Sequence, residues 1–153
     1  MWLYLFVILI LLIIIDIIIY NSLIFLRQKV EEAKSGIDVQ LKRRHDLIPK
    51  LVEIVKQYGI HEQNLLIKLT EGRVSHDDIT NIFLLEEKYP DLKANKNFVK
   101  LQEEISETED HIAASRAIYN QNTNIFNTKL QSFPESLTAK LHGFTRIDLY
   151  KMK

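Results

Sequence analysis

The amino-terminal stretch MWLYLFVILILLIIIDIIIY, residues 1–20, decides how the rest of the chain is organised. Asp16 is its one charged residue. A helix rises by about 1.5 Å per residue, so a run of this length spans close to ~30 Å of hydrocarbon. We therefore predict a transmembrane anchor over residues 1–20, with the lipid bilayer as its partner. The residues that follow would be held at a membrane surface.

Three other interpretations of this stretch fit less well. A secretory signal peptide has a basic first region and small residues before its cleavage site, whereas no Lys or Arg precedes this run and IIYNS closes it. A lipoprotein signal needs a cysteine, and the chain has none. A buried core helix is the last rival, but a domain of this size could hardly bury the unbroken apolar run from Trp2 to Ile15.

Asp16 is the unusual residue of the anchor. An ionised Asp at mid-membrane costs about 2.5–3.5 kcal/mol on insertion scales, and less near an interface. Asp16 lies about one turn before Tyr20, so one interpretation is a carboxylate that reaches the headgroups or stays protonated. The alternative is a polar contact with a second membrane helix.

Basic residues near the span predict its orientation. None precedes the span, whereas Arg27, Lys29 and Lys34 follow it closely. The positive-inside rule therefore places the N-terminus outside and the domain in the cytoplasm. We expect a single-pass protein of the cell membrane.

Composition indicates that the rest is one all-α domain. The sequence has 20 Lys and Arg against 20 Asp and Glu, so no global field attracts nucleic acid, and none is expected as a partner. Gly and Pro are few and scattered, and β-branched alternation is absent. We predict a helical bundle over residues 21–145 and a C-terminal tail over residues 146–153.

Apolar spacing predicts a first helix that continues out of the membrane. Its stripe recurs at steps of three and four residues: Leu23, Leu26, Val30, Ala33, Ile37 and Leu41. The basic run Lys42, Arg43 and Arg44 would end this helix. Asp46 would then cap a second helix, with Pro49 tolerated in its first turn.

The middle of the chain predicts the rest of that helix and a short third one. The second helix carries Leu65, Leu66 and Leu69 and would run to about Glu71, with Gly72 as its stop. A third helix would begin with a capping box at Ser75 and end at Tyr89 and Pro90; its apolar side is Ile79, Ile82, Phe83 and Leu85.

The fourth predicted helix has a seven-residue repeat. One heptad position is always large and apolar: Phe98, Ile105, Ile112, Tyr119, Phe126 and Phe133. The positions three residues on are mostly small or polar: Leu101, Thr108, Ser115, Asn122 and Lys129. A coiled-coil seam requires both positions to be apolar, so this pattern favours a helix wedged into a bundle.

The two ends of the fourth helix carry their own signals. Asn95 or Asn97 would cap its start, and Pro134 would end it. A last apolar turn, formed by Leu137, Leu141 and Phe144, would be closed by Gly143.

Short connections predict an antiparallel up-and-down four-helix bundle with the C-terminal piece near the bilayer. Such a bundle sets the basic run of the first helix beside an acidic run early in the fourth: Glu103, Glu104, Glu107, Glu109 and Asp110. A single continuous helix kinked at Pro49 is expected to leave the two runs far apart. Each exposed pair contributes only ~0–1 kcal/mol, so the pairing argues for register rather than stability.

Catalytic and cofactor motifs are missing from the sequence. A di-iron bundle needs Glu three residues before His, and no histidine has it. His61-Glu62 begins like a zinc-protease motif but has no second His, and no two glycines lie close enough for a phosphate loop. We therefore expect no enzyme, no metal and no cofactor.

Three surfaces remain as candidate interaction sites. Lys42, Arg43 and Arg44 could bind anionic lipid or nucleic acid, or simply pair with the acidic run. The acidic run itself could hold a divalent cation, although helix spacing spreads its carboxylates over several faces. The third is a cluster of helix-disfavouring residues in the late fourth helix, which would serve inter-helix hydrogen bonds or a binding strip: Asn120, Asn122, Asn124 and Asn127.

Several blocks in this order resemble the LemA family of bacterial membrane-anchored proteins. The blocks are YNSL at 20–23, IDVQLKRR at 37–44, DLIP at 46–49, HE at 61–62, YPDLKAN at 89–95, LQEEI at 101–105, TE at 108–109, YN at 119–120, FN at 126–127 and SFP at 132–134. The resemblance implies an anchor followed by a four-helix up-and-down domain. It implies no catalytic residues, because the family has no agreed biochemical function.

The chain departs from that family pattern in two places. Few residues separate Arg73 from Tyr89, so the third helix is expected to be shortened. Asp16 is also unusual in the family's anchor. The function expected is a membrane-anchored helical scaffold that docks a protein partner. The alternatives are an accessory subunit of a membrane enzyme, such as a protease reached through Asp16, and a hydrolase.

Overall fold

A computed structural model describes residues 1–57, 80, 83, 84, 87 and 89–151. Within these ranges the chain forms helices and no strand, which confirms the all-α class. The helices with complete bounds are α1 (Trp2–Gln57), α2 (Pro90–Lys93), α3 (Lys96–Gln131) and α4 (Glu135–Leu141). After α4 the chain runs on as an irregular segment, residues 144–150, here called the C-terminal segment.

The chain divides into two compact units. The terminal unit comprises Met1–Ile37 and Ala114–Lys153, and the central unit comprises Asp38–Ala113. Both α1 and α3 therefore contribute residues to each unit. In the terminal unit, Asn122 of α3 donates to the Lys29 carbonyl of α1, and Thr138 of α4 donates to Asp16. Later residues thus meet earlier ones, so α1 and the C-terminal half of the chain run antiparallel in this unit.

The central unit is held by an apolar cluster from three helices. Its buried members are Leu47, Ile48, Leu51, Val52, Val55, Leu92, Phe98, Leu101 and Ile105. Pro90 opens α2, where its missing N–H costs nothing, and α2 presents Leu92 to the cluster. Asn95 caps α3, because its Oδ1 accepts from the backbone N–H groups of Asn97 at 2.8 Å and Phe98 at 3.2 Å. The predicted cap is confirmed, and Asn95 supplies it.

The predicted break between the first and second helices is wrong. Helix α1 continues through Arg44, Asp46 and Pro49 to Gln57. A proline inside a helix costs about 3 kcal/mol, because it removes one hydrogen bond and crowds the preceding turn. The apolar residues on both sides of Pro49 are buried in the cluster, and each such side chain contributes about 1.5–3 kcal/mol. Burial therefore outweighs the local penalty, and Asp46 is an exposed residue within the helix.

The predicted apolar ladder of α3 is confirmed over most of its length. Phe98, Ile105, Ile112, Tyr119 and Phe126 are all buried. Phe133 is the exception, because α3 ends at Gln131 and the Phe133 side chain is 80% exposed. The predicted stripe on α1 is buried at Leu23, Val30, Ala33 and Ile37.

The predicted final apolar turn corresponds to α4, and Gly143 follows the end of that helix in the left-handed conformation. Leu137 and Leu141 of α4 are 60% and 75% exposed, so they do not pack into the bundle interior. The buried face of α4 carries Thr138 and Ala139 instead.

Most of the predicted second and third helices lies outside the described residues. This applies to Leu65, Leu66, Leu69, Glu71 and Gly72, and to Ser75, Ile79, Ile82 and Leu85. Of the predicted third helix, Phe83 and Leu84 are described as helical, and Phe83 packs against the central cluster.

Candidate functional site

Asp16 is bonded to α4 of its own chain. Thr138 Oγ1 donates to Asp16 Oδ1 at 2.6 Å, and His142 Nε2 lies 3.0 Å from Asp16 Oδ2. The Tyr20 ring, one turn further along α1, meets the rings of His142 at 4.7 Å and Phe144 at 5.8 Å between centroids. The sequence suggested a contact with headgroups or with another membrane helix, and missed these partners within the chain.

A helix end positions His142 and turns the chain after it. Gly143 has a φ of +71°, the left-handed conformation that glycine adopts without strain. Its N–H donates to the Lys140 carbonyl, and the N–H of Phe144 donates to the Ala139 carbonyl at 2.9 Å. These two bonds form a Schellman motif, which closes α4 and directs the C-terminal segment back along α3. At the other end of α4, a hydrogen bond from Lys129 lowers the pKa of Glu135.

Asn120 and Asn127 hold the C-terminal segment through paired hydrogen bonds. Asn127 donates to the Ile147 carbonyl at 2.8 Å and accepts from the Ile147 N–H at 3.0 Å. Asn120 does the same with Tyr150, at 3.3 Å and 2.7 Å. Seven helical residues rise by about 10.5 Å, and three extended residues span about 10 Å. The two amides therefore match backbone groups three residues apart.

Aromatic contacts reinforce this pairing. Tyr119 OH donates to the Asp148 carbonyl at 3.0 Å, between the two amide pairs. The rings of Tyr119 and Tyr150 lie edge to face, with centroids 6.3 Å apart. The Arg116 guanidinium lies 4.9 Å from the centroid of the Tyr150 ring, a cation–π distance.

The Asn-rich part of α3 thus serves two purposes. Asn120 and Asn127 bind the segment that the sequence treated as a tail, whereas Asn122 makes an inter-helix bond to the Lys29 carbonyl at 3.1 Å. Asn124 is exposed. The sequence signal for the segment was the spacing of seven between the two amides, which puts them on one helix face.

A small cavity lies beside the C-terminal segment in the terminal unit. Its volume is about 150 Å³. It is lined by Tyr119, Phe126, Phe144 and Ile147, with Arg27 and Lys34 among its polar residues. Ligand sites for drug-sized molecules usually measure about 300–1,000 Å³. The cavity is therefore too small for such a ligand.

In the central unit, two pairs form between the basic and acidic runs. Arg43 lies 3.6 Å from Glu107, and Arg44 Nε lies 3.0 Å from Glu109 Oε1. Only 15% of the Arg44 side chain and 17% of the Glu109 side chain are exposed, so this pair is the better shielded one. The two runs meet although α1 is continuous. The expectation that a continuous helix would separate them is therefore wrong.

The other charged candidates are Lys42, Glu103 and Glu104. Glu104 faces Lys100 at 3.9 Å, and its backbone carbonyl accepts from Thr108 Oγ1 at 2.7 Å. Lys42 and Glu103 are exposed. Among residues 1–57 and 89–151 and the few described between them, no group of three or more His, Cys, Asp or Glu could hold a metal ion.

The Asp16 cluster has the residue types of a hydrolytic triad but not its arrangement. In a triad, a histidine lies between the nucleophile and the carboxylate, and it takes the nucleophile's proton. Here the Asp16 carboxylate lies between Thr138 and His142, so the Thr138 hydroxyl donates its hydrogen bond to Asp16 and not to the histidine. This geometry suits the positioning of α4 rather than activation of the hydroxyl.

Comparison with known proteins agrees with the family resemblance of the sequence blocks. The model of the LemA family matches residues 33–82 and 74–153. The chain is 29% identical, over 150 residues and 86% of its length, to Protein LemA of Metamycoplasma hominis. It spans 66% of that relative's length, a little under two thirds. The chain belongs to the LemA family.

Proposed function

We propose that the protein is a membrane-anchored helical scaffold of the bacterial cell envelope, in which residues 1–20 span the bilayer. The observation that supports this proposal is the exposure of the apolar run. Every side chain from Met1 to Ile15 is exposed, and the most apolar 18-residue window of α1 has none of its residues buried. Water-soluble monomers rarely expose apolar patches beyond a few hundred Å². A bilayer is the solvent that such a surface requires.

The orientation and the bundle follow from the sequence pattern. Arg27, Lys29 and Lys34 favour a cytoplasmic domain with the N-terminus outside. The antiparallel course of α1 and α3 within the terminal unit is compatible with the up-and-down four-helix arrangement that family membership suggests. We keep that arrangement, with its shortened third helix, as part of the proposal.

A protein partner is the second half of the proposal. Asn120 and Asn127 are engaged by the C-terminal segment, and Arg43 and Arg44 by carboxylates. The surfaces open to a partner therefore include single exposed apolar side chains on α1 and α3: Phe25, Val39, Val99, Ile118 and Ile125. The accessory-subunit alternative relied on Asp16 as a contact to another membrane protein. Asp16 has its bonding partners within this chain, so we do not favour that alternative.

Extraction with alkaline carbonate tests the anchor. The full chain, expressed in bacteria, should stay with the membrane pellet. A variant with Leu9→Arg and Leu12→Arg should move to the supernatant, because each charge costs about 2.5–3.5 kcal/mol in the span. The matched control carries Phe25→Arg and Val39→Arg, at exposed sites beyond the span, and should stay in the pellet. Release of the unaltered chain would contradict the proposal.

A photocrosslinker tests the docking half separately. Placed at Val39 or Ile125 in the full chain in its own membranes, it should trap the same protein in repeated preparations. If crosslinkers at these positions yield no adduct, the proposed scaffold role is contradicted and the proposed anchor is unaffected.

A further inference from the structure

Large apolar side chains are exposed on α4 and in the turn before it. Leu137 and Leu141 are 60% and 75% exposed, and their spacing of four keeps them on one side of the helix. Phe133, in the turn that joins α3 to α4, is 80% exposed. These three side chains are here called the apolar stripe. The opposite face, with Thr138 and Ala139, is buried. A surface helix of a water-soluble protein buries its large apolar side chains. The seven residues of α4 do the opposite, because the helix buries small side chains and exposes large apolar ones.

The contacts of α4 place it at the end of the apolar run. Thr138 and His142 both reach Asp16, and the ring of His142 meets the ring of Tyr20. Asp16 and Tyr20 bound the last turn of the apolar stretch of α1. Because α4 packs against that turn, the two lie at the same position along the anchor. The outward face of α4 therefore meets the same surroundings as the exposed side of that turn.

We propose that α4 is a membrane-embedded interfacial helix, and that its Leu137 and Leu141, together with Phe133 of the preceding turn, enter the boundary between headgroups and acyl chains. The proposal rests on the proposed anchor. It commits to lipid as the occupant because the apolar stripe continues the exposed apolar surface of α1 within the same unit. Helices that lie in an interface bury their apolar face ~5–10 Å into that boundary.

The arrangement also accounts for Asp16. A carboxylate at the edge of the hydrocarbon needs hydrogen-bond donors that water cannot supply in full. Thr138 donates to Asp16, and His142 lies within hydrogen-bond distance of it, from the buried side of α4 and its C-terminal cap. Asp16 thus fixes the interfacial helix against the anchor. Lys140, near the C-terminal end of α4, is exposed and long enough to reach the phosphates.

Tryptophan fluorescence in vesicles tests the inference. Trp2 is the one tryptophan of the chain, so the unaltered protein reports on the anchor. In a Trp2→Phe background, single variants Phe133→Trp, Leu137→Trp and Leu141→Trp report on α4 and the turn before it. Ile118→Trp is the matched control, because Ile118 is exposed on α3 in the same unit. Asn122 contacts Lys29 of α1, and Ile118 lies one helical turn farther from the anchor. The rise of the two helices therefore places Ile118 roughly 20 Å beyond Tyr20.

The full-length proteins are reconstituted in phosphatidylcholine–phosphatidylglycerol vesicles, with and without lipids brominated in the acyl chains. We expect the brominated lipid to remove most of the emission at positions 133, 137 and 141, with a blue shift, and to leave position 118 unchanged. If Trp2 is quenched but the three α4 positions behave like position 118, the interfacial helix is overturned and the anchor stands. A blue shift without quenching would assign the stripe to a second copy and also overturn it. An unquenched Trp2 would overturn the anchor itself.

Discussion

Asn120 and Asn127 use both functions of their amide groups on the backbone of one residue each. These two amide pairs fix the register of the C-terminal segment through its backbone, and they form no hydrogen bond to its side chains. The sequence predicted that this Asn-rich stretch makes hydrogen bonds, because Asn is a poor helix former. It could not identify the partner, since residues 144–150 show no periodicity that distinguishes a bound segment from a free tail.

Replacing Asn127 tests this role at the residue scale. We expect Asn127→Ala to lower the free energy of unfolding by about 1–3 kcal/mol, because the N–H and C=O groups of Ile147 lose their partner. Chemical denaturation in detergent micelles measures the change. Asn124→Ala, at an exposed position on the same helix, is the control and should have a much smaller effect. Equal losses in the two variants would mean that the amide pair does not hold the segment.

At the scale of elements, the two glycines among the described residues have opposite roles. Gly143 ends α4 in the left-handed conformation, whereas Gly36 lies inside α1. A Cβ added at either position would meet no atom within 4 Å. The two sites therefore differ in backbone conformation and not in the space available for a side chain.

Alanine substitutions at these sites should shift stability in opposite directions. Gly143→Ala is expected to cost about 1–2 kcal/mol, the penalty of a left-handed non-glycine residue. Gly36→Ala should stabilise the protein by about 0.5–1 kcal/mol, because alanine loses less backbone entropy in a helix. Denaturation of both variants under the same conditions gives the comparison. A stabilising Gly143→Ala would show that the turn after α4 is not left-handed.

Helix α1 shows where local rules fail. The sequence predicted a break near Asp46, because Pro49 and a capping residue normally mark a helix start. Leu47, Ile48 and Leu51 are buried on both sides of the proline, and their packing keeps the helix continuous. Propensity at one residue was visible in the sequence. The tertiary burial that overrides it was not, because it depends on Leu92 and Phe98, more than forty positions away.

For the whole molecule, composition and periodicity predicted most of what is described. They predicted the apolar N-terminal helix, the all-α class and the buried heptad of α3. The error at Phe133 has one physical cause. A periodic apolar pattern does not say whether its face meets protein or lipid, so a residue that we assign to the membrane interface was expected in the core. The contacts of Asp16 were equally hidden, because Thr138 and His142 are distant in sequence.

Accessibility of single cysteines tests the central claim, that residues 1–20 cross the bilayer. The chain has no cysteine, so Trp2→Cys and Ser35→Cys each introduce a unique thiol, one at the N-terminal end of the span and one after it. A membrane-impermeant maleimide added to intact cells should label position 2 and should label position 35 only after lysis. Labelling of both positions in intact cells, or of neither, would contradict a spanning anchor. Labelling of position 35 alone would reverse its orientation.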